Sequence, residues 1–434
     1  MIFGLVSVVG FFHYLPKLAL NWSRYSPALF EKKIFRTAFT IRVVYVVFSY
    51  LFYLGMTGEP FEFHAADVHF YDHMGEYGAS LIGAGEFNLL QKFEPYAGLS
   101  FSDSGYPIYL SVVYFLTSNS ILIARILKAL LSALVCVLIY RLATRNFGES
   151  VGRLAAIFCL LMPNLIYYCG LHLKEMEMTF LVVFFIERTD LLLRKKRLDL
   201  KLFVITFVVG LSLFAFRTVL GAVAFLALFS ALVLSSKRIV SLGKKIVFGF
   251  FIVILLGLSF SDRISKEVES IVDSGSTNQS TSMAWRAERK NGNTFAKYAA
   301  GAIFVPMIFT IPFPTIVETP DQENQRMIHG GNYVKNITSF FTIFALFTLL
   351  FSGDWRKHVF PVAFMCGYLL VIAMSAFAHS ERFHMPALPF ALMFAAYGIS
   401  KLEKRHRQWF HIWLVLIFIA AIAWSWVKLA GRGL

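Results

Sequence analysis

Four short stretches of this 434-residue chain combine side chains that could hold an anion and move a proton. The first is His64-Ala-Ala-Asp67-Val-His69-Phe-Tyr71-Asp72-His73, in which Asp67 and Tyr71 stand four apart and would share one face of a helix. The second is His172-Leu-Lys174-Glu175, and the third is Arg217-Thr218 between two apolar runs. The fourth is His379-Ser380-Glu381-Arg382-Phe383-His384, followed by Met385-Pro386-Ala387-Leu388-Pro389. Arginine presents a planar fork that matches phosphate oxygens, so Arg217 and Arg382 are the natural clamps, with Lys174 beside them. A carboxylate in a partly dry pocket can take a proton from a hydroxyl nucleophile; Asp67 is the expected base, with Asp72 behind it. Glu175 is expected to orient a substrate, and Tyr71, Tyr106, His172, His379 and His384 to line its pocket.

Each stretch also has a plainer explanation. Acids in a water-facing loop are usually solvated, and arginines at a membrane surface often only reach lipid headgroups. His64, His69 and His73 are spaced by five and four and fit no fixed ligand motif, so a divalent metal is unsupported and no cofactor is called for. Asn278-Gln-Ser280 and Asn336-Ile-Thr338 match glycosylation sequons, which have meaning only in a eukaryotic source.

The elements that must position these groups follow from composition. Hydrophobic residues make up 57% of the chain, charged residues 15%, and Phe alone numbers 47. Soluble domains carry about 25% charged residues. The solvent for most of this chain must be lipid, and disordered, fibrous and disulfide-rich secreted classes are excluded. The net charge of +15 does not signal nucleic acid, because the bases sit in short clusters between apolar runs. Those clusters are Lys32, Lys33 and Arg36; Arg194 to Arg197; Lys237, Arg238, Lys244 and Lys245; and Lys401 to Arg407. That is the pattern of bases retained on the inner side of a membrane. Cys136, Cys159, Cys169 and Cys366 stand singly in apolar stretches and read as small buried hydrophobes.

A membrane-spanning helix needs about 20 mostly apolar residues. Candidate spans fall at 1–20, 38–56, 120–143, 154–171, 176–193, 202–216, 219–234, 246–260, 337–352, 359–378, 384–400 and 408–427. Loop charge sets their direction. The 17–42 stretch holds six bases against Glu31 and belongs inside. The 57–106 loop holds Glu59, Glu62, Asp67, Asp72, Glu76, Glu86, Glu94 and Asp103 against Lys92 alone, and belongs outside. The apolar stretch 107–118 is then an interfacial helix rather than a span. The piece 298–317, broken by Pro306, Pro312 and Pro314, is a re-entrant or interfacial element of the second outer segment. All four polar stretches reach the outer side, and every unusual charge is expected there. The fold class is an all-α polytopic membrane protein of about 11–13 transmembrane helices. Its parts are N-terminal spans (1–56), a first outer loop with interfacial helices (57–119), a transmembrane bundle (120–260), a second outer segment (261–336) and C-terminal helices (337–434).

Taken in order, the motifs resemble a known family. They are Asp67-x-x-x-Tyr71, Ser104-Gly105-Tyr106-Pro107, Ala124-Arg125-Ile-Leu-Lys-Ala, Tyr140-Arg-Leu-Ala-Thr-Arg-Asn-Phe147-Gly148, Met162-Pro163-Asn164-Leu-Ile-Tyr167-Tyr168, Lys174-Glu175 and Glu381-Arg382-Phe383-His384-Met-Pro386-Ala-Leu-Pro389. This resembles the GT-C membrane glycosyltransferases, in the bacterial branch related to protein O-mannosyltransferases and lipid A aminoarabinose transferases. The resemblance implies an inverting sugar transfer on the outer face of a bacterial inner membrane. The donor would be a polyprenyl-phosphate-linked sugar, and the acceptor a glycan, lipid or protein. It assigns the catalytic carboxylate to Asp67, the acid opening the later span to Glu175, and the basic positions to Arg217 and Arg382. Two other readings use the same features: a polymerase or ligase of surface polysaccharide, and a transporter or flippase of polyprenyl-linked glycans. Against the last, the spans show no paired interruptions in two halves.

Overall fold

Where water is absent, a backbone must satisfy its own polar groups, and a helix does so within one segment. The computed structural model of the chain follows that rule: its regular elements are helices, with no strand among the described residues. The structure describes residues 2–63, 66–97, 101–195, 199–235, 243, 248–249, 281–285, 287–288, 293–298, 301–317, 325–375 and 377–433. Among them, Pro27–Thr57, Ile121–Phe147, Gly330–Phe351 and Lys404–Ala430 are long and apolar enough to cross a membrane. A bent pair, Glu149–Leu161 with Pro163–Gly170, turned by 55°, makes a fifth. The chain is an all-α membrane protein. Of the candidate span 246–260 only residues 248 and 249 are described, the polar stretch at 261–280 lies outside the described residues, and the rest of the second outer segment is described in part.

The helices up to the middle of the chain are α1 (Ile2–Trp22), α2 (Pro27–Thr57), α3 (Ala66–Gly83), α4 (Leu89–Ala97), α5 (Gly105–Thr117), α6 (Ile121–Phe147), α7 (Glu149–Leu161), α8 (Pro163–Tyr167), α9 (Glu175–Arg194), α10 (Leu200–Phe216) and α11 (Thr218–Leu234). After them come α12 (Gly301–Phe304), α13 (Gln325–Phe351), α14 (Val359–Ala373), α15 (Glu381–His384), α16 (Leu388–Ser400) and α17 (Arg407–Ala430). Local chemistry sets several ends. Ser26 caps α2 by accepting from the Leu29 N–H, Pro27 fits its first turn, and Gly58 closes it at φ 81°. The span expected at 38–56 therefore starts at Pro27, and Lys32, Lys33 and Arg36 ride on the helix rather than in a loop. Pro163 lacks an N–H and forces Met162 into an extended conformation (ψ 114°), which breaks the span expected at 154–171 into α7 and α8. Helix α13 begins at Gln325, ahead of the expected 337, so the second outer segment ends inside a helix. Among the described residues from 293 to 317 the chain makes only short turns, Thr294–Tyr298, Gly301–Phe304 and Val305–Met307, and no long helix.

Two close approaches position the helices that carry the first polar stretch. Helix α3 lies along α5 so tightly that a Cβ on Gly78 would sit 1.9 Å from the Ser111 hydroxyl oxygen. A Cβ on Gly105 would sit 2.9 Å from the Ala215 carbonyl carbon, so the start of α5 is held against the α10–α11 turn that carries Arg217.

Charge is not confined to one end, contrary to the expectation from loop signs. Arg42 stands in the middle of α2, fully buried. It donates to the Ser132 hydroxyl (2.7 Å) and to the Cys159 carbonyl (2.9 Å), tying α2 to α6 and α7. At the bundle end away from Asp67, Arg145 pairs with Glu187 and with Asp190 (2.9 Å). Asn146 there accepts from Arg194 (2.7 Å) and from His358 (2.9 Å). A buried charge in a membrane protein is costly unless it is paired. Arg42 is held by neutral acceptors alone, whereas Arg145, Glu187 and Asp190 are paired and lock α6 and α9 together, with Asn146 joining the start of α14.

Candidate active site

Arg382 organises the site. It sits in α15, a single turn stopped by Pro386, and its guanidinium faces two carboxylates from distant parts of the chain. One nitrogen donates to Glu175 at 2.7 Å and another to Asp67 at 2.7 Å. Glu175 opens α9 and is 1% exposed at its side chain, whereas the Asp67 side chain, in the first turn of α3, is 57% exposed. The pair of carboxylates raises the Arg382 guanidinium further above its ordinary value, against the opposing effect of burial. Arg217, at the α10–α11 turn, lies over the Phe383 ring with its guanidinium carbon 4.2 Å from the centroid, and Arg382 lies 5.2 Å from the same ring. One nitrogen of Arg217 is buried with no hydrogen-bond partner among the described residues. Two guanidiniums beside one ring, with a donor to spare, make a place where an anion would be welcome.

Asp67 and Arg382 border a cavity of about 280 Å³. Its polar wall is completed by Glu62, Glu381 and Tyr168, and its apolar wall by Phe63, Val68, Leu171 and Leu173. Burial raises the Glu62 carboxyl above the ordinary carboxylate range, opposed by Arg125 and Lys128. Burial likewise raises Glu381. The Tyr71 phenol is raised by burial and by the Glu175 and Asp103 carboxylates, so it stays a neutral hydrogen-bonding group beside Arg382.

The remaining sequence candidates fall into neighbouring groups. Lys174 pairs with Asp103 and lies 3.3 Å from the Phe216 carbonyl, so its charge is already engaged next to the site. Its ammonium stands 5.8 Å from the Tyr71 ring centre. Asp72, five residues after Asp67 on α3, turns away from the cavity. It accepts the Tyr114 hydroxyl, which also meets His172 at 3.1 Å. Burial raises Asp72, and the Tyr114 hydrogen bond works against that rise. His172 is fully buried, and burial with the Lys128 and Arg125 charges keeps its imidazole neutral. Tyr106 meets Tyr71 edge-to-face at 5.0 Å and reaches Lys128 at 3.3 Å. His384 donates from Nε2 to the Ala378 carbonyl (2.8 Å) and accepts at Nδ1 from Lys335 (3.2 Å), a structural arrangement away from the cavity wall. His379 is half-buried in the same loop and does not line the cavity. His64 lies outside the described residues. His69 faces Glu59 at 3.7 Å and His73 reaches the Tyr96 hydroxyl at 2.8 Å, so these two do not converge. No group of three metal-ligating side chains occurs among the described residues.

Four residues that matter to this geometry carry no site role in the sequence. Glu62 counted only as one of eight loop acids, yet it is 7% exposed and lines the cavity. Arg125 and Lys128, one helical turn apart on α6, and Glu177 form a buried charged layer behind it. Arg125 and Lys128 were legible in principle, since two bases inside an apolar run already mark an interior face. Nothing in the local sequence distinguishes Glu62 from its neighbours.

Chemically, the site offers a guanidinium that an incoming anion can share, a second arginine with an unused donor, and carboxylates around one open cavity. It can bind a phosphate group and accept a proton beside it. No protein-family model, curated protein or solved structure matches the chain.

Proposed function

We propose that the chain is an inverting glycosyltransferase that moves a sugar from a polyprenyl-phosphate-linked donor to an acceptor at the outer face of the membrane. On this reading the helices form a polytopic bundle of the GT-C type with about 11–13 spans, seated in a bacterial inner membrane. The observation that carries the proposal is the double engagement of Arg382 by Asp67 and Glu175 at the cavity, with Arg217 beside the same Phe383 ring. Charges drawn from loops so far apart in sequence are costly to assemble, and such assemblies are typical of functional sites.

The chemistry follows from the donor. Its leaving group is already a phosphate ester, so the protein must position the reactants and neutralise the charge that develops. Arg382 and Arg217 would hold the phosphate. Asp67 would keep its pair with Arg382 through Oδ2 and turn its other carboxylate oxygen to the acceptor hydroxyl. Glu175, anchored in the interior, would keep Arg382 in place. The acceptor oxygen then attacks the anomeric carbon from the face opposite the phosphate, and the configuration inverts. The half-apolar wall of the cavity suits a sugar, whose ring faces are apolar and whose rim is polar.

The test is binding of polyprenyl phosphate, the product common to every such donor, to the wild type and to the Arg217→Leu and Arg382→Leu variants in detergent micelles. The proposal expects a steep loss of affinity in both. Unchanged binding in both would reduce the arginines to headgroup contacts.

A further inference from the structure

We propose that Glu62, a residue outside the four polar stretches, takes the proton from the acceptor hydroxyl, while Asp67 holds that hydroxyl in line for attack. This rests on the reading of the cavity as the transfer site and assigns the base within it.

The two carboxylates differ in what they have to spare. Asp67 is more than half exposed and its Oδ2 is committed to Arg382 at 2.7 Å. A carboxylate in an ion pair is a weakened base, because taking a proton forfeits the pair. Glu62 is 7% exposed and borders the same cavity. Its Oε2 has no hydrogen-bond partner among the described residues. Arg125, whose charge acts on Glu62, donates instead to the Pro60 carbonyl, and its Nε and Nη1 make no hydrogen bond among the described residues. A buried acceptor left without a donor costs free energy. The Oε2 atom is covered, so a hydroxyl in the cavity would supply one when the Glu62 side chain rotates that oxygen inward.

Basicity points the same way. A general base works best when it titrates near the working pH. Burial raises Glu62 toward that range. The groups that face it are Arg125 and Lys128 from α6, which lower it, Glu175 from α9, which raises it, Tyr45 and Tyr53 from α2, and Tyr168 behind the cavity. Across the cavity stand Asp67, Glu381 and Arg382. Burial is the largest influence on Glu62, so the raised direction stands.

The step balances without any further reactant. The acceptor O–H bond breaks and its proton passes to Glu62 Oε2. The oxygen's electron pair forms the new bond to the anomeric carbon. The bond from that carbon to the phosphate oxygen breaks, and its electron pair leaves with the phosphate against Arg382 and Arg217. The products are the inverted glycoside, polyprenyl phosphate and protonated Glu62, which returns its proton to water.

The experiment uses the full chain in vesicles with a panel of radiolabelled polyprenyl-phosphate hexoses and pentoses, and follows single-turnover transfer across pH. The wild type should lose rate as pH falls through the raised value of Glu62. Glu62→Gln should lower transfer by about a hundredfold to ten-thousandfold. It should keep polyprenyl-phosphate binding and abolish the acid limb in the residual rate. Glu62→Asp should recover part of the rate with a displaced acid limb. A Glu62→Gln variant that transfers near the wild-type rate with the same acid limb overturns the assignment while leaving the site reading intact. Should Glu62→Gln lose polyprenyl-phosphate binding as well, Glu62→Asp decides: a displaced acid limb supports the assignment and an undisplaced one overturns it. A wild type that transfers from no donor in the panel overturns the assignment together with the site reading.

Discussion

Replacing Arg382 with Leu removes one cation from between two carboxylates of very different exposure, and the consequences can be separated. The Asp67 side chain is 57% exposed, so water screens the charge left there, and that arm contributes about 0–1 kcal/mol to stability. The Glu175 side chain is 1% exposed, and its second oxygen already lacks a hydrogen-bond partner among the described residues. Breaking a buried pair by removing one partner costs about 3–5 kcal/mol, because the other charge stays buried. Lys174 offers no relief, since Asp103 and the Phe216 carbonyl hold it. Arg382→Leu should therefore lower thermal stability through Glu175 almost alone. Adding Glu175→Gln removes the stranded charge and should return most of the loss. Donor binding should behave differently. Truncating one side of a buried charge pair costs about 2–5 kcal/mol of affinity, or about 30-fold to 5,000-fold, and the second substitution has no means of restoring it. Tryptophan fluorescence during thermal unfolding in micelles gives the first quantity, and titration with polyprenyl phosphate gives the second. A double variant as unstable as Arg382→Leu, or one that regains affinity along with stability, would refute the division of labour between the two carboxylates.

Three further outcomes are expected. Arg145→Leu leaves Asp190 to Arg194 and Glu187 to Arg188 alone, with one buried oxygen of each short of a donor, and should cost about 1–3 kcal/mol of stability without altering polyprenyl-phosphate titration; equal stability would mean the Arg145 contacts are idle. Single cysteines at Glu86 and Lys357, in a chain whose native cysteines are replaced, should differ in sealed cells, with only the first reached by an impermeant thiol reagent from outside; the reverse pattern would invert the membrane orientation. Burial raises the folded-state value of Glu62 from the ordinary 4.5, so the folded state binds that proton more tightly than the unfolded state. Wild-type stability should therefore fall as pH rises from 4.5 through the raised value and then level off. Glu62→Gln should flatten that decline in a pH series of unfolding curves, and an unaltered slope would show that Glu62 titrates normally.

The sequence made some of this legible and hid the rest for identifiable reasons. Apolar runs with polar ends announce membrane helices, and 202–216 and 219–234 reappear closely as α10 and α11. Boundaries shifted where capping chemistry outranked hydropathy, as at Ser26-Pro27, or where Pro163 broke a run in two. Glu175 and Arg382 stand out as charges beside apolar runs, and Asp67 through its spacing from Tyr71 and the family resemblance; the structure brings these three together. Asp72 was chosen because it shares a loop with Asp67. A helix advances 100° per residue, so five residues carry Asp72 onto another face, toward Tyr114 and His172. Whether an acid is solvated or buried depends on what packs over it. Glu62 is therefore indistinguishable among the loop acids in sequence, and only its place in the cavity wall sets it apart. Arg42, Arg125 and Lys128 were visible as bases within apolar runs, but only three-dimensional packing shows which carbonyls and carboxylates satisfy them.

Single-turnover transfer by the Asp67→Asn and Asp72→Asn variants, in vesicles supplied with polyprenyl-phosphate-linked sugars, tests the central claim most directly. Both substitutions remove one negative charge from α3, but only Asp67 borders the cavity and meets Arg382. The account predicts that Asp67→Asn, by misplacing the acceptor hydroxyl, loses transfer by about a hundredfold while still binding polyprenyl phosphate. Asp72→Asn should retain most of the rate and lose only about 1–2 kcal/mol of stability from its bond to Tyr114. Equal, mild effects of the two substitutions on transfer would contradict the account, because they would mean that the Asp67 cavity is not where the sugar moves.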